Sequence, residues 1–539
     1  MGEFQISTDN RIGIRKINMK ETELYKTYSE LKDICRKNES LITIILSVII
    51  IGGIIFGTGN IFSGWHWVDD HESYRILKLY KDQHMPLAET FMHFLRNDMN
   101  IRWRPLYWVF RIVMPYLLGD HPAIYRIIFC VSGIATYVFL YMGVRNLKCS
   151  GVFSHLFALL VLMGRQFEVW YRIGNQENLG MLFFAVCLYL LTKQYKGNRF
   201  KRSTDIWIVV LAFCSGLMKE SFLLLIPAVV WLRLGLESVY NLQVPKDIFN
   251  ILKRNVLFIV IPAVFFLINI YVIVTYVGVN QIGYAGLDES YGIIDYIWAM
   301  QRLCRDSLHS YVLLAYVVLG ATLIFLSILF LIKRARFNSN LVLLSVLVIF
   351  GGYVVVTQMI LHAKSGMWDR YLLPGIIGFA IIFVVCVDLL LKNAWYKIVM
   401  AFIIGVFLIG RFKLAIINMS LDYAQEAKAI NKVYAIVLDK TAADAKIVNT
   451  FGNGEADISF GVFIELMGRP HVYSYDYEEK QATDTFGEYM GDSIKLAEAD
   501  VLVFWGGVEN EEENDIQVGI YGNWDKINVM DIYTVYVKN

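Results

Sequence analysis

Charge is scarce in this sequence. Only 18% of its 539 residues are Asp, Glu, Lys or Arg, against 56% hydrophobic residues and a mean hydropathy of +0.48. Soluble domains average nearer a quarter charged and half apolar. The apolar excess is also gathered into long runs, which excludes one large soluble core. Cysteine is sparse as well: Cys35, Cys130, Cys149, Cys187, Cys214, Cys304 and Cys386. No CxxC pair or Cys/His cluster has metal-ligand spacing, so no structural zinc site is expected. On the topology set out below only Cys304 falls in an exterior loop, so no intramolecular disulfide is expected there. No basic stripe interleaved with aromatics is present, which excludes a nucleic-acid surface. A glycine-rich phosphate fingerprint is missing too, since Phe451-Gly-Asn-Gly454 is too weak a match to count. The net charge of +2 averages basic short loops with an acidic C-terminal part.

What is present is a succession of apolar runs. A helix needs about 20 apolar residues to cross the hydrocarbon core. The first run, 41–62, follows forty charged and polar residues, whereas a cleaved signal peptide begins with a short basic region. Further runs fall at 121–144, 151–167, 177–193, 205–218, 220–236, 255–277, 311–332, 341–361, 371–391 and 395–412. The expectation is an α-helical polytopic membrane protein with about eleven spans.

The loops give these spans a direction. If residues 1–40 form a cytoplasmic tail, every second loop should be basic. Arg145/Lys148, the stretch from Lys193 to Arg202, Lys253/Arg254, Lys333/Arg334/Arg336 and Lys392/Lys397 all then fall inside. The other loops are mixed in charge, and long at 63–120 and 278–310. Eleven spans place the C-terminal segment outside. Residues 41–412 thus read as the transmembrane part, with 63–120 as its first exterior loop.

Residues 413–539 read as a soluble extracytoplasmic domain of α/β type. A helical stretch near 420–438 precedes strand-like runs at 445–451, 471–475, 500–505 and 533–537. Helix-like segments at 460–467 and 489–499 lie between them, and such alternation suggests a small layered structure. A lid, an acceptor-contacting module and a purely structural role all fit.

Ionisable residues gather at the exterior ends of the spans. The first exterior loop opens Gly64-Trp-His-Trp-Val-Asp-Asp-His-Glu72. Asp69, Asp70, His71 and Glu72 could be a solvated loop start. Two adjacent carboxylates could equally divide labour, one accepting a proton from a hydroxyl nucleophile while the other orients it or binds a cation. Their mutual repulsion would separate their pKa values. Later come Arg102, Arg104 and the run 105–118, too short to span and shaped like an interfacial helix. Both arginines could grip a phosphate by forked hydrogen bonds or snorkel to lipid headgroups. Glu168 and Glu177 flank the segment Arg165–Glu177, and Lys219 and Glu220 form a very short turn between two spans. Lys219 and Glu220 could be an ion pair holding those helices. His362 to Pro374 carries Arg370 and Tyr371. Ionisable groups at membrane depth are costly and so are functional candidates.

Taken together these segments resemble GT-C-type glycosyltransferases, polytopic enzymes that use sugars linked to a polyprenyl phosphate. The resemblance rests on Asp69-Asp70, Arg104-Pro-Leu, Gly119-Asp-His-Pro-Ala-Ile-Tyr125, Lys219-Glu-Ser with Pro227, and Arg370-Tyr-Leu-Leu-Pro374. It covers roughly residues 41–375 and is closest to the bacterial, protein-mannosyltransferase-like subgroup. It implies an inverting transfer to a glycan, lipid or protein acceptor on the extracytoplasmic face of the cell membrane. In such enzymes a carboxylate of the first exterior loop is the base. The departing lipid phosphate is stabilised by basic groups or by a divalent cation. Carried over, Asp69 is the first choice of base and Asp70 the alternative. Arg102, Arg104, Lys219 and Arg370 become phosphate contacts, and Glu168 and Glu177 second-loop acids; Glu72, Glu220 and Tyr371 complete the candidate substrate-binding set. Eukaryotic members have Asp-Glu where this chain has Asp-Asp, which leaves the base open. No acceptor-peptide motif is present, and sugar, acceptor and metal are not legible. An envelope polymer ligase or polymerase shares such large exterior loops. A lipid flippase or transporter would instead show mid-span charges and repeated halves, and no twofold repeat is seen.

Overall fold

A computed structural model describes residues 37–67, 69–241, 246–278, 292–308, 339–362, 369–411, 416–452, 454–484, 491–506 and 523–539. Most of the chain up to Arg411 is helical, in the order α1 (Glu39–Gly57), α2 (Asp70–Gln83), α3 (Leu87–Asp98), α4 (Pro105–Leu118), α5 (Pro122–Asn146), α6 (Gly151–Leu162), α7 (Glu177–Lys196), α8 (Arg202–Met218) and α9 (Glu220–Tyr240). Then follow α10 (Lys246–Arg254), α11 (Val256–Val277), α12 (Ile293–Leu308), α13 (Ser339–His362), α14 (Gly375–Leu390) and α15 (Ala394–Arg411). Each apolar run expected as a span falls on one of these helices, except 311–332, which lies outside the described residues. So do the tail 1–36, the basic loop at Lys333–Arg336 and much of the exterior loop 278–310.

Among the described residues α1, α5, α9, α11 and α13 are long and apolar enough to cross a membrane. Their apolar faces are not all used internally. Leu257, Leu267 and Tyr271 of α11 and Ile45, Ile49 and Phe56 of α1 stand exposed, a surface suited to lipid. Local signals explain the ends. Pro105 and Pro122 open α4 and α5 at the first helical position, where a missing N–H costs nothing. The expected run 151–167 stops as helix at Leu162. There the Gln166 amide takes the freed carbonyls of Leu160 (3.4 Å) and Val161 (2.9 Å), and a 3₁₀ turn follows at Arg165–Trp170. The run 371–391 becomes helical only at Gly375, after a 3₁₀ turn at Asp369–Leu372 and a proline that cannot donate. The run 105–118, too short to span, is a helix, α4.

The ion pairs sort the helix ends into two sets. At one end Arg145 of α5 meets Glu39 of α1 (2.5 Å), and Asp388 of α14 meets Lys397 of α15 (2.7 Å) and the Ser150 amide (2.6 Å). Arg233 of α9 joins Asp205 of α8 and Glu237 there (2.8 and 2.7 Å). At the other end Lys219 meets Glu177 and Arg370 meets Asp69. This two-sided sorting is what alternating crossings require.

After α15 come α16 (Asn418–Lys440) and a seven-stranded sheet, with α17 (Gly454–Leu466) between its first two strands. The strands are β1 (Ile447–Asn449), β2 (Val472–Asp476), β3 (Gln481–Thr483), β4 (Ser493–Ile494), β5 (Val501–Trp505), β6 (Trp524–Val529) and β7 (Tyr533–Lys538). Their order is β4-β3-β2-β1-β5-β7-β6, with β1 parallel to both β2 and β5 and the outer pairs antiparallel. The expected helical segment 489–499 is not a helix. Its described part forms the edge strand β4 and a 3₁₀ turn, Leu496–Glu498, whose apolar residues Ile494, Leu496 and Ala499 cover the second face of the sheet. The first face packs on α16 and α17. That core continues without a break into Trp65, Trp67, Tyr74, Tyr125 and Ile173 of the membrane part.

Candidate active site

The two adjacent aspartates have opposite environments. Asp69 adopts a left-handed backbone, φ +60°, a conformation that Asp tolerates at a cost of about 1 kcal/mol or more. It is held there by Arg111, whose guanidinium donates to the Asp69 carbonyl and to that of Ile173 (3.0 Å for the latter). Gly174 makes this possible, because a Cβ at that position would collide with Asp69 Cβ. The turn sends the Asp69 carboxylate outward, where its side chain is 36% exposed and Oδ2 accepts from Arg370 Nη1 at 3.0 Å. Asp70, by contrast, is fully buried. Its Oδ2 accepts from the His66 amide (2.9 Å) and lies 3.5 Å from the buried Arg126 guanidinium.

Electrostatics separates them further. Burial favours the neutral form of Asp69, but Arg370, Arg172 and Arg111 outweigh it and hold the carboxyl well below the usual carboxylate range. For Asp70 burial wins over Arg126 and the His66 N–H, and the pKa is pushed up to about 6. The sign of the split follows from who supplies the countercharge.

The remaining candidates divide into those gathered around Asp69 and those used elsewhere. Arg370 Nη1 also donates to Asn175 Oδ1 at 2.6 Å, and the Arg370 guanidinium lies 5.5 Å from the Tyr371 ring centroid. Lys219 Nζ sits 4.2 Å over the same ring and 2.5 Å from Glu177 Oε1, with both groups buried. Glu168 is buried against Arg172 (2.5 Å), and Glu72 lies 3.8 Å from Arg111. Glu220 is not the partner of Lys219 as one alternative expected. The turn at Lys219 is extended, so successive side chains part, and Glu220 accepts from the Trp103 amide at 2.7 Å. Arg104 is engaged by Asp98 through two bonds of 2.8 Å and packs on Tyr107, so its charge is already balanced. Arg102 is half-buried on the approach to α4, its amide bonded to Asp98 O at 2.7 Å.

Several residues that matter here carried no label in the sequence. Arg172 follows Glu168 by four positions within a segment already singled out, and Asn175 lies in it too. Tyr423 and Glu426 gave no signal, since they belong to α16. Yet the Tyr423 ring stacks on His66 at 3.9 Å and lies 5.8 and 5.4 Å from the Arg126 and Arg172 guanidiniums. Glu426 is 3.3 Å from His66 Nε2. Among the described residues no three His, Cys, Asp or Glu side chains converge as metal ligands. Asp69, Glu168 and Glu177 each face an Arg or Lys instead, a donor set that does not fit a divalent cation. A narrow apolar cleft lined by Tyr107, Phe110, Met114, Phe129, Leu179 and Met218 runs beside Arg111.

No protein-family model matches the chain, and no curated protein sequence matches it. Its fold is similar to that of ArnT from Cupriavidus metallidurans in the apo state. The identity is 13% and the TM-score 0.47, over 91% of this chain and 97% of that one. A second structure of ArnT from the same organism, bound to undecaprenyl phosphate, is 12% identical with a TM-score of 0.45, over the same shares.

Proposed function

We propose that the chain is an inverting glycosyltransferase of the protein-mannosyltransferase-like GT-C type, moving a sugar from a polyprenyl-phosphate donor to a hydroxyl acceptor. It works at the extracytoplasmic face of a cell membrane that the chain crosses many times from a cytoplasmic N-terminus. One observation carries the reading. A partly exposed carboxylate, Asp69, sits among Arg370, Arg172 and Arg111 at the exterior ends of apolar helices, with the apolar side chains of a narrow crevice on the far side of Arg111. Such a place suits a substrate with an anionic head and an apolar tail.

In the proposed reaction the acceptor oxygen attacks the anomeric carbon from the face opposite the phosphate. The carbon–oxygen bond to the phosphate breaks, and its electron pair leaves with the lipid phosphate. Asp69 takes the acceptor proton as general base. The burial of Asp70 argues for a structural role instead, holding the loop by accepting from the His66 amide.

Charge balance supports this order. Arg111, Arg172, Arg370 and Lys219 face Glu72, Glu168, Asp69 and Glu177, so the set is neutral before the donor arrives. When Asp69 accepts the proton one cation loses its counterion just as the leaving phosphate gains a charge. Arg370, which Asp69 and Asn175 share, is the group best placed to turn to that phosphate. Donor phosphate on Arg370 would also loosen its grip on Asp69 and raise the basicity of the carboxylate. Arg104 stays with Asp98 and serves structure. The donor set routes no step through a metal. A flippase would need ionisable groups near the midplane, whereas the ion pairs among the described residues sit at the two ends.

The test is transfer of labelled hexose from a polyprenyl-phosphate donor by the full chain in nanodiscs, with membrane glycans as acceptor pool. Wild type is expected to transfer and Asp69→Asn not to. Equal transfer by both would sink the reading.

A further inference from the structure

A groove runs between α1 and α5 on the outside of the membrane part. Its α5 wall is Ile124, Ile127, Val131 and Ile134, spaced three, four and three residues apart and so on one face. Its α1 wall is Val48, Gly52, Gly53 and Phe56. The two glycines make the groove. The helices approach each other at Gly52, where a Cβ would lie 4.0 Å from Ile134 Cδ1, whereas a Cβ at Gly53 would meet open space. Apolar side chains along the walls therefore stay uncovered, Val131 to 56% and Phe56 to 53%. This deeper part has a volume of about 360 Å³ and an apolar lining throughout.

Towards the helix ends on the side of Asp69 the groove widens to about 430 Å³ more and changes character. Phe62, Gly64, Asp120 and His121 line it there. Asp120 accepts from Trp65 Nε1 at 2.7 Å, and Trp65 is four residues before Asp69. The helix α16 borders this mouth. Asn431 lies against Gly64, and Lys428, three residues earlier, holds its Nζ 2.9 Å from where a Cβ of Gly59 would stand. Gly59, at φ +77°, ends α1 two residues before Ile61, itself part of the lining. Lys428 is exposed and has no hydrogen bond or ion pair among the described residues, and exposed Lys432 follows one turn later on the same face. Two lysines beside one carboxylate leave the mouth positive above an apolar channel.

Length and charge choose the occupant. From His121 down to Ile134 is thirteen residues of helix, about 20 Å. That is close to the roughly 15 Å of one leaflet with its headgroup boundary. The groove ends at Val48 and Ile134, midway along both α1 and α5, where a partner helix would continue across the bilayer. An acyl chain stops there and carries its phosphate at the mouth.

We infer that the groove between α1 and α5 holds one acyl chain of an anionic glycerophospholipid, with the phosphate on Lys428. The inference is independent of the proposed function. A lipid in this place touches α1, α5 and α16 together, and binding to the folded chain alone raises its stability by mass action.

The test is native mass spectrometry and thermal melting of the full chain, stripped of lipid in detergent and titrated with dioleoylphosphatidylglycerol or with dioleoylglycerol, which has the chains but no phosphate. Phosphatidylglycerol should bind one to one and raise the melting temperature, and dioleoylglycerol should bind at least about tenfold more weakly. Gly53→Leu puts a side chain into the groove without loss of helix propensity. It should weaken phosphatidylglycerol about tenfold while melting no lower than wild type when lipid-free. Lys428→Gln should bring phosphatidylglycerol down to the level of dioleoylglycerol. Ile45→Trp, exposed on α1 outside the groove, should bind as wild type does. The inference is overturned if the two lipids bind wild type alike, if Gly53→Leu or Lys428→Gln keeps the full affinity for phosphatidylglycerol, or if Ile45→Trp loses as much as Gly53→Leu. It is overturned too if the wild-type chain is a dimer that Gly53→Leu dissociates, which would make the occupant a second copy.

Discussion

Replacing Asp69 and Asp70 one at a time should give opposite phenotypes, although they are neighbours of the same type. Asp69→Asn keeps the size of the side chain and removes the charge. The lost partner is Arg370, across a pair that solvent reaches and that Asn175 also holds, so the cost is about 0–1 kcal/mol. If Asp69 is the general base, transfer should fall about 10²–10⁴-fold. Asp70→Ala does the reverse. It leaves the Arg126 guanidinium, buried to 0% exposure, without its carboxylate, and strands the His66 N–H. Removing one member of a buried pair costs about 3–5 kcal/mol. Thermal melting by fluorescence-detected gel filtration, run beside the transfer assay, reads both quantities. Asp69→Asn should melt near wild type and be inactive, and Asp70→Ala should melt far lower while its surviving folded fraction transfers sugar. Transfer by Asp69→Asn within tenfold of wild type, or an Asp70→Ala variant as stable as wild type, would refute the division.

Three further expectations follow from the same geometry. Gly174→Ala should cut transfer about tenfold to a hundredfold and also lower the melting temperature, by about 1–3 kcal/mol of stability, because the new Cβ displaces Asp69 from its turn. Lys219→Met should destabilise the chain by about 3–5 kcal/mol by leaving buried Glu177 unpaired. The double variant Lys219→Met/Glu177→Gln should recover the melting temperature but not the transfer rate if Lys219 serves the phosphate. Stability against pH should show two opposed contributions. Burial lowers the His66 pKa to about 4 despite Glu426, so the unfolded chain binds more protons there and His66 weakens the fold as pH falls from about 6.5 to about 4. The raised pKa of Asp70, about 6, makes the folded chain bind more protons, so that group strengthens the fold as pH falls through 6. The two nearly cancel in wild type. Asp70→Asn should therefore steepen the loss of melting temperature between pH 6.5 and 4.5, and His66→Asn should lessen it.

The helices were the legible part, because a run of apolar residues has few other destinations. The expected segments at 121–144 and 255–277 match α5 and α11 within about two residues. The end of α6 was not legible, since it depends on Gln166 folding back onto the carbonyls of Leu160 and Val161. Asp69 and Asp70 could be flagged as a pair but not told apart. Their separation comes from a left-handed turn fixed by Arg111 and Gly174, and from Arg126, more than fifty residues later in the chain. The pairing of Arg104 with Asp98, six residues earlier, was not legible, since it depends on the turn between α3 and α4. In the C-terminal part the longer strands β5 and β7 were visible as β-rich runs. The three-residue β3 and the two-residue edge strand β4 were not, for pairing with neighbours alone makes them strands. Least visible was the tie between the two parts. The contact of Tyr423 with His66 spans more than 350 positions, and no periodicity marks it.

The anomeric outcome tests the central claim most directly. The full chain in nanodiscs would be given a polyprenyl phosphate carrying a β-linked hexose labelled with ¹³C at C1, and the released or transferred sugar followed by NMR. Direct attack on the anomeric carbon, with Asp69 as base, predicts an α-configured product formed together with free polyprenyl phosphate. A β-configured product, or turnover that leaves the sugar on its lipid phosphate, would contradict it.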